Sequence, residues 1–300
     1  MGTSLAISVE RRVVKGANAW DIDRGMLIRG LIIALLDLTV VSLGSAHWNF
    51  GVLYAIGFSM ICMVPLRRLP TWALLVLSIG WILLGELITG WFWHPPENSS
   101  ISAALTVATY GGNLLVIKYP VIPWLAISIL GWVFGRHLIR YAAGLSMISG
   151  RNVLWACGVV SLIVFAVVRG INGYGNMFLL RSDNFWLQWL HVSKYPPSLT
   201  YYSLELGILF LFLAFLRTLE LRIGVRENGP FYVFGQTAMF FYIAHRLAFE
   251  VPATWFGLRD CDGLAATYGI SAVMLVLLYP ACRWYRRVKA AHPRAILKYL

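Results

Sequence analysis

WALLVLSIGWILLGELITGWF, Trp72–Phe92, contains a single ionisable side chain, Glu86. As a helix it is long enough to cross a hydrocarbon core of about 30 Å. A helix on a soluble core keeps a polar face toward water, and this stretch has none. Similar runs recur on both sides of it: Leu27–Ala46, Phe50–Leu66, Val121–Phe134, Val153–Val168, Leu199–Leu216, Phe231–Phe249 and Ala265–Ala281. They predict an all-α polytopic membrane protein of about eight transmembrane helices, a single integral-membrane domain over residues 1–300. Ile101–Ile117 is also apolar, but Thr, Asn and a Gly-Gly pair interrupt it, so it is expected to be interfacial or re-entrant. Composition agrees: 59% of residues are hydrophobic and 13% charged, against about 25% charged in a soluble domain.

The formal charge of +12 points to orientation rather than to nucleic acid, because basic residues in membrane proteins collect on the cytoplasmic side. One face of the predicted bundle gathers Arg11, Arg12, Lys15, Arg24, Arg67, Arg68, Arg136, Arg140, Arg151, Arg217, Arg222, Arg226 and the tail from Arg283 to Lys298. The other holds Lys118, Arg169, Arg181, Lys194, Arg246 and Arg259. Both termini are therefore expected in the cytoplasm, with residues 1–25 as an entry segment, 27–281 as the bundle and 282–300 as a basic tail. The clusters RRVVK, RR and RWYRRVK either serve orientation alone or offer a landing site for an anionic cofactor such as a nucleotide phosphate. Cys62, Cys157, Cys261 and Cys282 show neither a pairing pattern nor metal spacing, and no metal is expected.

Ionisable groups inside a bilayer need a reason. Asp37, Glu86 and Glu205 fall within predicted spans, each either as a hydrogen-bonded tie between helices or as part of a cavity. Arg29 lies close enough to the inner end of its span to snorkel. The long loops Trp93–Pro120 and Arg169–Pro197 make the extracytoplasmic face the expected working face. The second loop contains Asn172 and Tyr174 in a glycine-rich turn and then HVSKYPPSL. Lys194 and Tyr195 stand either at the rim of a cavity with Glu205 below them or as interfacial anchors; both readings are open. Of the six histidines, His47, His94 and His191 belong to outer loops, and His137 and His292 are cytoplasmic. His245, in FFYIAHRLAFE beside Arg246 and Glu250, is either a structural helix-end residue or an acid/base group active near neutral pH.

Several stretches resemble the catalytic domain of heparan-α-glucosaminide N-acetyltransferase and its bacterial relatives. They are GTSLAISVERR, RGLIIALLDLTVV, WNFGVLYAIGFSMI, PWLAISILGWVFGRHL, RGINGYGN, HVSKYPPSLTYYSLELG and FYIAHRLAFE, in family order. The resemblance implies a multi-pass acetyltransferase of the bacterial inner membrane. It would take acetyl from cytoplasmic acetyl-CoA and pass it to an amino sugar or glycan on the other side, with a homo-oligomer as a further possibility. It also implies a membrane hairpin before the GTSLAIS stretch, whose outer loop carries the family's catalytic histidine. Met1 stands directly on that stretch, so the chain is expected either to start too far downstream or to be a truncated relative. Of the residues present, His245 falls on the family's late-helix histidine and is the candidate catalytic residue. Lys194, Tyr195, Glu205, Asn172 and Tyr174 are the expected substrate contacts, and Arg29, Asp37 and Glu86 the polar groups along the path. The alternative is a non-catalytic membrane protein, a transporter or an inactive partner subunit.

Overall fold

The computed structural model describes residues 1–42, 47–256 and 263–291. Arg259, Cys261, His292, Arg294, Lys298 and the end of the first predicted span lie outside the described residues. The chain is mostly helical: α1 (Gly2–Val14), α2 (Ala19–Leu36), α3 (Val52–Leu66), α4 (Thr71–Phe92), α5 (Ile101–Thr106), α6 (Val121–Ala142), α7 (Gly150–Ile171), α8 (Trp186–Leu190), α9 (Leu199–Ile223), α10 (Pro230–Gln236), α11 (Ala238–Phe256) and α12 (Leu264–Ala291). Five of these, α4, α6, α7, α9 and α12, are long and apolar enough to cross a membrane, which marks the chain as an integral membrane protein. Side-chain caps start several helices where the sequence changes from loop to apolar run: Asn18 for α2, Ser149 for α7 and Ser198 for α9. Each satisfies one of the orphan N–H groups of a first turn.

Three features depart from a plain set of spans. A π-helical turn, Asp37–Val41, continues α2. The run predicted as one span over Phe231–Phe249 breaks at Thr237, whose Oγ1 turns back on the Val233 carbonyl at 2.8 Å. Pro230 opens α10 just before it. Finally, the fold is not purely helical. Strand β1 (Trp48–Phe50) pairs in parallel with β3 (Leu115–Ile117), and β2 (Tyr110–Gly111) pairs antiparallel with β3. Strands of two or three residues are too short to show the alternation that reveals a strand in sequence. With α5 they account for the interrupted apolar stretch Ile101–Ile117.

The tight core lies among α1, α2, α3 and α6, where Leu5, Ile22, Ile33, Leu53, Met63 and Trp132 are buried together. The α2–α3 crossing is closest at Gly30 and Gly57. A Cβ on Gly57 would stand 2.3 Å from the Gly30 carbonyl oxygen and 2.7 Å from the Ala34 nitrogen. Small residues allow such backbone approach in membranes, where packing rather than water exclusion holds helices together. By contrast, nothing lies within 4 Å of a Cβ built on Gly80 in α4. Gly57→Ala is therefore expected to lower the thermal midpoint in detergent, by a loss of about 1–3 kcal/mol. Gly80→Ala should leave it unchanged or raise it slightly.

Candidate functional site

The end of the bundle that bears the long loops is organised by an arginine. Arg169, in the last turn of α7, is 0% exposed. Its guanidinium donates to Asn176 Oδ1 at 2.6 Å and to the carbonyls of Leu179 (2.8 Å), Gln188 (2.6 Å) and His191 (2.6 Å). Only a planar guanidinium offers enough fixed donors to gather so many acceptors at one point. Around it, Arg181 packs over the Trp189 ring at 4.3 Å and donates to the Arg169 carbonyl. Asn172 adopts a left-handed backbone that ends α7. Its side chain pairs with the Arg181 backbone N–H (2.7 Å) and carbonyl (3.1 Å). Glu86 reaches in from α4, its Oε2 accepting from the N–H groups of Gly175 (2.6 Å) and Met177 (2.9 Å). Tyr174 donates its hydroxyl to the Leu83 carbonyl. Burial, and then the charge of Glu86, raise the Tyr174 phenol above its ordinary range. Glu86 and Tyr174 thus fasten the loop to α4, while Asn172 ties the loop to itself at Arg181.

Asp37 plays a comparable part on the other side. It is 0% exposed, and its Oδ2 accepts from the N–H groups of Gly51 (2.7 Å) and Tyr54 (2.9 Å). A carboxylate from the end of α2 thereby caps α3, whose own N-cap, Gly51, has no side chain to do it. The charge of Arg246 on α11 also acts on Asp37.

Between the two lies an aromatic rim. The Tyr119 and Tyr195 hydroxyls are hydrogen-bonded at 2.8 Å. The Tyr119 ring packs on Trp124 at 5.0 Å, and Trp124 faces Tyr201 at 6.3 Å. The Lys194 ammonium lies over the Tyr195 ring at 5.3 Å and the Tyr119 ring at 6.0 Å. Burial first, and then the bond with Tyr195, hold the Tyr119 phenol far above its usual value, so it keeps its proton. Glu205 is exposed one helical turn below Tyr201, near enough for its charge to act on that phenol. On α11, the His245 ring packs against Tyr242 at 5.3 Å and Phe241 at 5.4 Å. His245 Nδ1 lies 3.0 Å from the Phe241 carbonyl oxygen. A carbonyl can only accept, so in this contact Nδ1 is the donor and Nε2 is the ring nitrogen turned away from it. Tyr242 in turn interacts electrostatically with Asp37, Arg246 and Tyr195. Direct contacts thus join Lys194 and Tyr195 at Tyr119 and His245 to Tyr242, while Glu205 stands one turn below Tyr201. Arg29 does not join them. It lies about 12 Å back along α2 from Asp37, where its charge meets that of Lys289.

A cleft of about 2140 Å³ connects this rim to the opposite end of the bundle. Tyr119 and Trp124 line one end; Arg136, Arg140, Arg151, Arg217 and Arg226 line the other. Trp124 and Arg140 both belong to α6, about 24 Å apart at the rise of a helix, so the cleft runs nearly the length of a span. Arg136 is occupied by the carbonyls of Arg67 (2.5 Å) and Leu69 (2.9 Å), whereas Arg140 and Arg226 are exposed. No group of His, Cys, Asp or Glu suited to a metal occurs among the described residues.

Residues 1–169 match the family model of heparan-alpha-glucosaminide N-acetyltransferase, catalytic domain. The chain belongs to this family. Family membership makes it a protein of the membrane-acetyltransferase type. No curated protein gives a match. The matched stretch of the acetyltransferase family includes Arg29, Asp37, Glu86, Tyr119 and the arginines of α6 and early α7, and it ends on Arg169. Lys194, Tyr195, Glu205 and His245 lie beyond it.

Arg169 was visible in the sequence only as a basic residue after an apolar run. The signal that could have singled it out is its place at a helix end just before a loop rich in Gly and Asn, where many carbonyls need donors. Replacing it with Lys keeps the charge but not the fork. Each lost charged hydrogen bond costs about 1.5–3 kcal/mol. Arg169→Lys should therefore speed amide hydrogen exchange over residues 172–198 by at least about tenfold and leave exchange in α2 and α3 unchanged.

Proposed function

We propose that the chain is a membrane-embedded acetyltransferase that receives acetyl-CoA at the arginine end of the cleft and delivers the acetyl group to an amino sugar at the aromatic rim. The observation that carries this reading is the cleft itself, with exposed arginines at one end, apolar walls and, at the other, Tyr119 and Trp124, against which Tyr195 and the Lys194 ammonium pack. Acetyl-CoA has matching asymmetry: phosphates that suit arginine and a long arm ending in the thioester. In this reading eight spans cross the membrane: α2 with its π turn, α3, α4, α6, α7, α9, α10 with α11, and α12. Both termini and the arginines face the cytoplasm, by the positive-inside rule, and the membrane is a bacterial inner membrane.

The chemistry asks for a base and for oxyanion donors. His245 Nε2 takes the proton from the sugar ammonium. The amine then attacks the thioester carbonyl, the C–N bond forms as the C–S bond breaks, and the CoA thiolate leaves with a proton. Lys194, Tyr195 and Glu205 contact the sugar, while Asn172 and Tyr174 shape the loop wall beside it. Asp37, Glu86 and Arg29 keep the path between the faces in register. A transporter or inactive partner subunit would have the same cleft but no reason to bind the donor.

Binding of acetyl-CoA to the protein in nanodiscs, followed by calorimetry, separates these cases. The acetyltransferase reading expects saturable binding that weakens as salt rises. It also expects a loss of at least about tenfold in Arg140→Gln/Arg151→Gln, roughly 1.4 kcal/mol. Absence of binding at low salt would contradict it. His245→Ala should leave donor binding intact and lower transfer by about 100-fold or more; full transfer by that variant would remove His245 from the mechanism.

A further inference from the structure

The outer loop carries an apolar turn that neither the core nor the proposed transfer uses. From Phe185 to Leu190 it reads FWLQWL, and Phe185, Trp186, Leu187 and Leu190 are each at least half exposed. The turn is not slack, since Arg169 holds the carbonyls of Gln188 and His191 at 2.6 Å each. Its position is set by its neighbours. α7 ends at Ile171 and α9 begins at Leu199, both on helices able to span a bilayer. The loop therefore leaves and re-enters the bilayer at one surface. There Arg169 ties the turn to the end of α7, a helix whose Ile163, Val167 and Ile171 are each more than half exposed. Uncharged aromatic side chains at that level partition into the headgroup region.

The same pinning fixes the depth of the rim. Lys194 follows Leu190 by four residues, and the His191 carbonyl between them is bound by Arg169. Lys194 itself is held by aromatic faces, and none of the ion pairs among the described residues includes it. An ammonium so placed has donors available for an anion. The cleft that reaches Tyr119 and Trp124 is walled by Val160, Leu209 and Leu213 among others. These three side chains are each more than a third exposed, so the cleft is open along this apolar wall rather than enclosed. The buried indole N–H of Trp124 has no hydrogen-bond partner among the described residues.

We propose that the acceptor is an amino sugar carried on a lipid phosphate and taken laterally from the leaflet at the rim. The Phe185–Leu190 turn seats the rim at headgroup depth, Lys194 meets the phosphate, and the apolar tail stays in the bilayer against the open side of the cleft. The word acceptor rests on the acetyltransferase reading; the binding site does not.

Native mass spectrometry of the protein in nanodiscs tests this with two ligands at equal concentration, polyprenyl-phosphate-linked glucosamine and water-soluble glucosamine 1-phosphate. At least tenfold preferential retention of the lipid-linked form is expected. That preference should fall about tenfold in Lys194→Met and in Trp186→Ser/Leu187→Ser. Equal or better retention of the soluble sugar by the wild-type chain overturns the proposal without recourse to any variant, and so does unchanged retention in both variants. Acetyl transfer on the same samples is a separate readout. Lipid-linked sugar retained but never acetylated, with acetyl-CoA present, would sink the acetyltransferase reading and leave the lipid-phosphate site standing.

Discussion

A guanidinium with no solvent exposure at the end of a membrane helix has to find its acceptors inside the protein, and Arg169 finds four. That single requirement shapes the outer end of the molecule. The loop after α7 is drawn into a fixed ring, Glu86 latches it to α4, and the chain emerges at Lys194 and Tyr195 with little freedom left. Without the ring, the rim would be half an aromatic cluster, Trp124 on α6 and Tyr119 just before it, with nothing opposite. Asp37 performs the matching service on the other side. By capping α3 from α2 it fixes the two helices beside α11, and so the setting of Tyr242 and His245.

The two acids most unexpected in an apolar span, Asp37 and Glu86, thus prove to be acceptors for backbone N–H groups of neighbouring segments. In each, one carboxylate oxygen accepts two backbone donors, which offsets part of the cost of leaving water, while Asp37 Oδ1 is buried with no partner among the described residues. The free chemistry lies instead in groups at the bundle end and loop: the Lys194 ammonium, the paired phenols of Tyr119 and Tyr195, and Nε2 of His245.

The apolar runs were legible because each of α4, α6, α7, α9 and α12 must hide its backbone from lipid by itself, and hydropathy records this locally. The polar residues Asp37, Glu86 and Glu205 were legible for the same reason, as exceptions to a run. Their partners were not, because Gly51, Tyr54, Gly175 and Met177 contribute only backbone N–H groups, which every sequence has. The break at Thr237 escaped notice because a threonine in an apolar run signals nothing by itself. The sheet escaped because Trp48–Phe50 and Leu115–Ile117 pair across more than sixty residues on only three positions each. The cleft was beyond reach altogether, since it depends on how far the α7–α9 pair stands from α6, a distance set by packing rather than by pattern. The family resemblance, carried on residues 1–169 by the family match, supplied the type of chemistry that these residues alone do not specify.

The central claim is that acetyl passes from the arginine end of the cleft to the rim, across the thickness of the membrane. The most direct test is sidedness in sealed proteoliposomes of known orientation, with radiolabelled acetyl-CoA supplied to one face and an amino sugar confined to the other. Acetylated sugar should accumulate only when acetyl-CoA is on the face bearing Arg140, Arg151 and Arg226 and the sugar is on the face bearing Lys194 and Tyr195. Equal product from the reverse arrangement, or product only when both substrates share a face, would contradict transfer through the cleft.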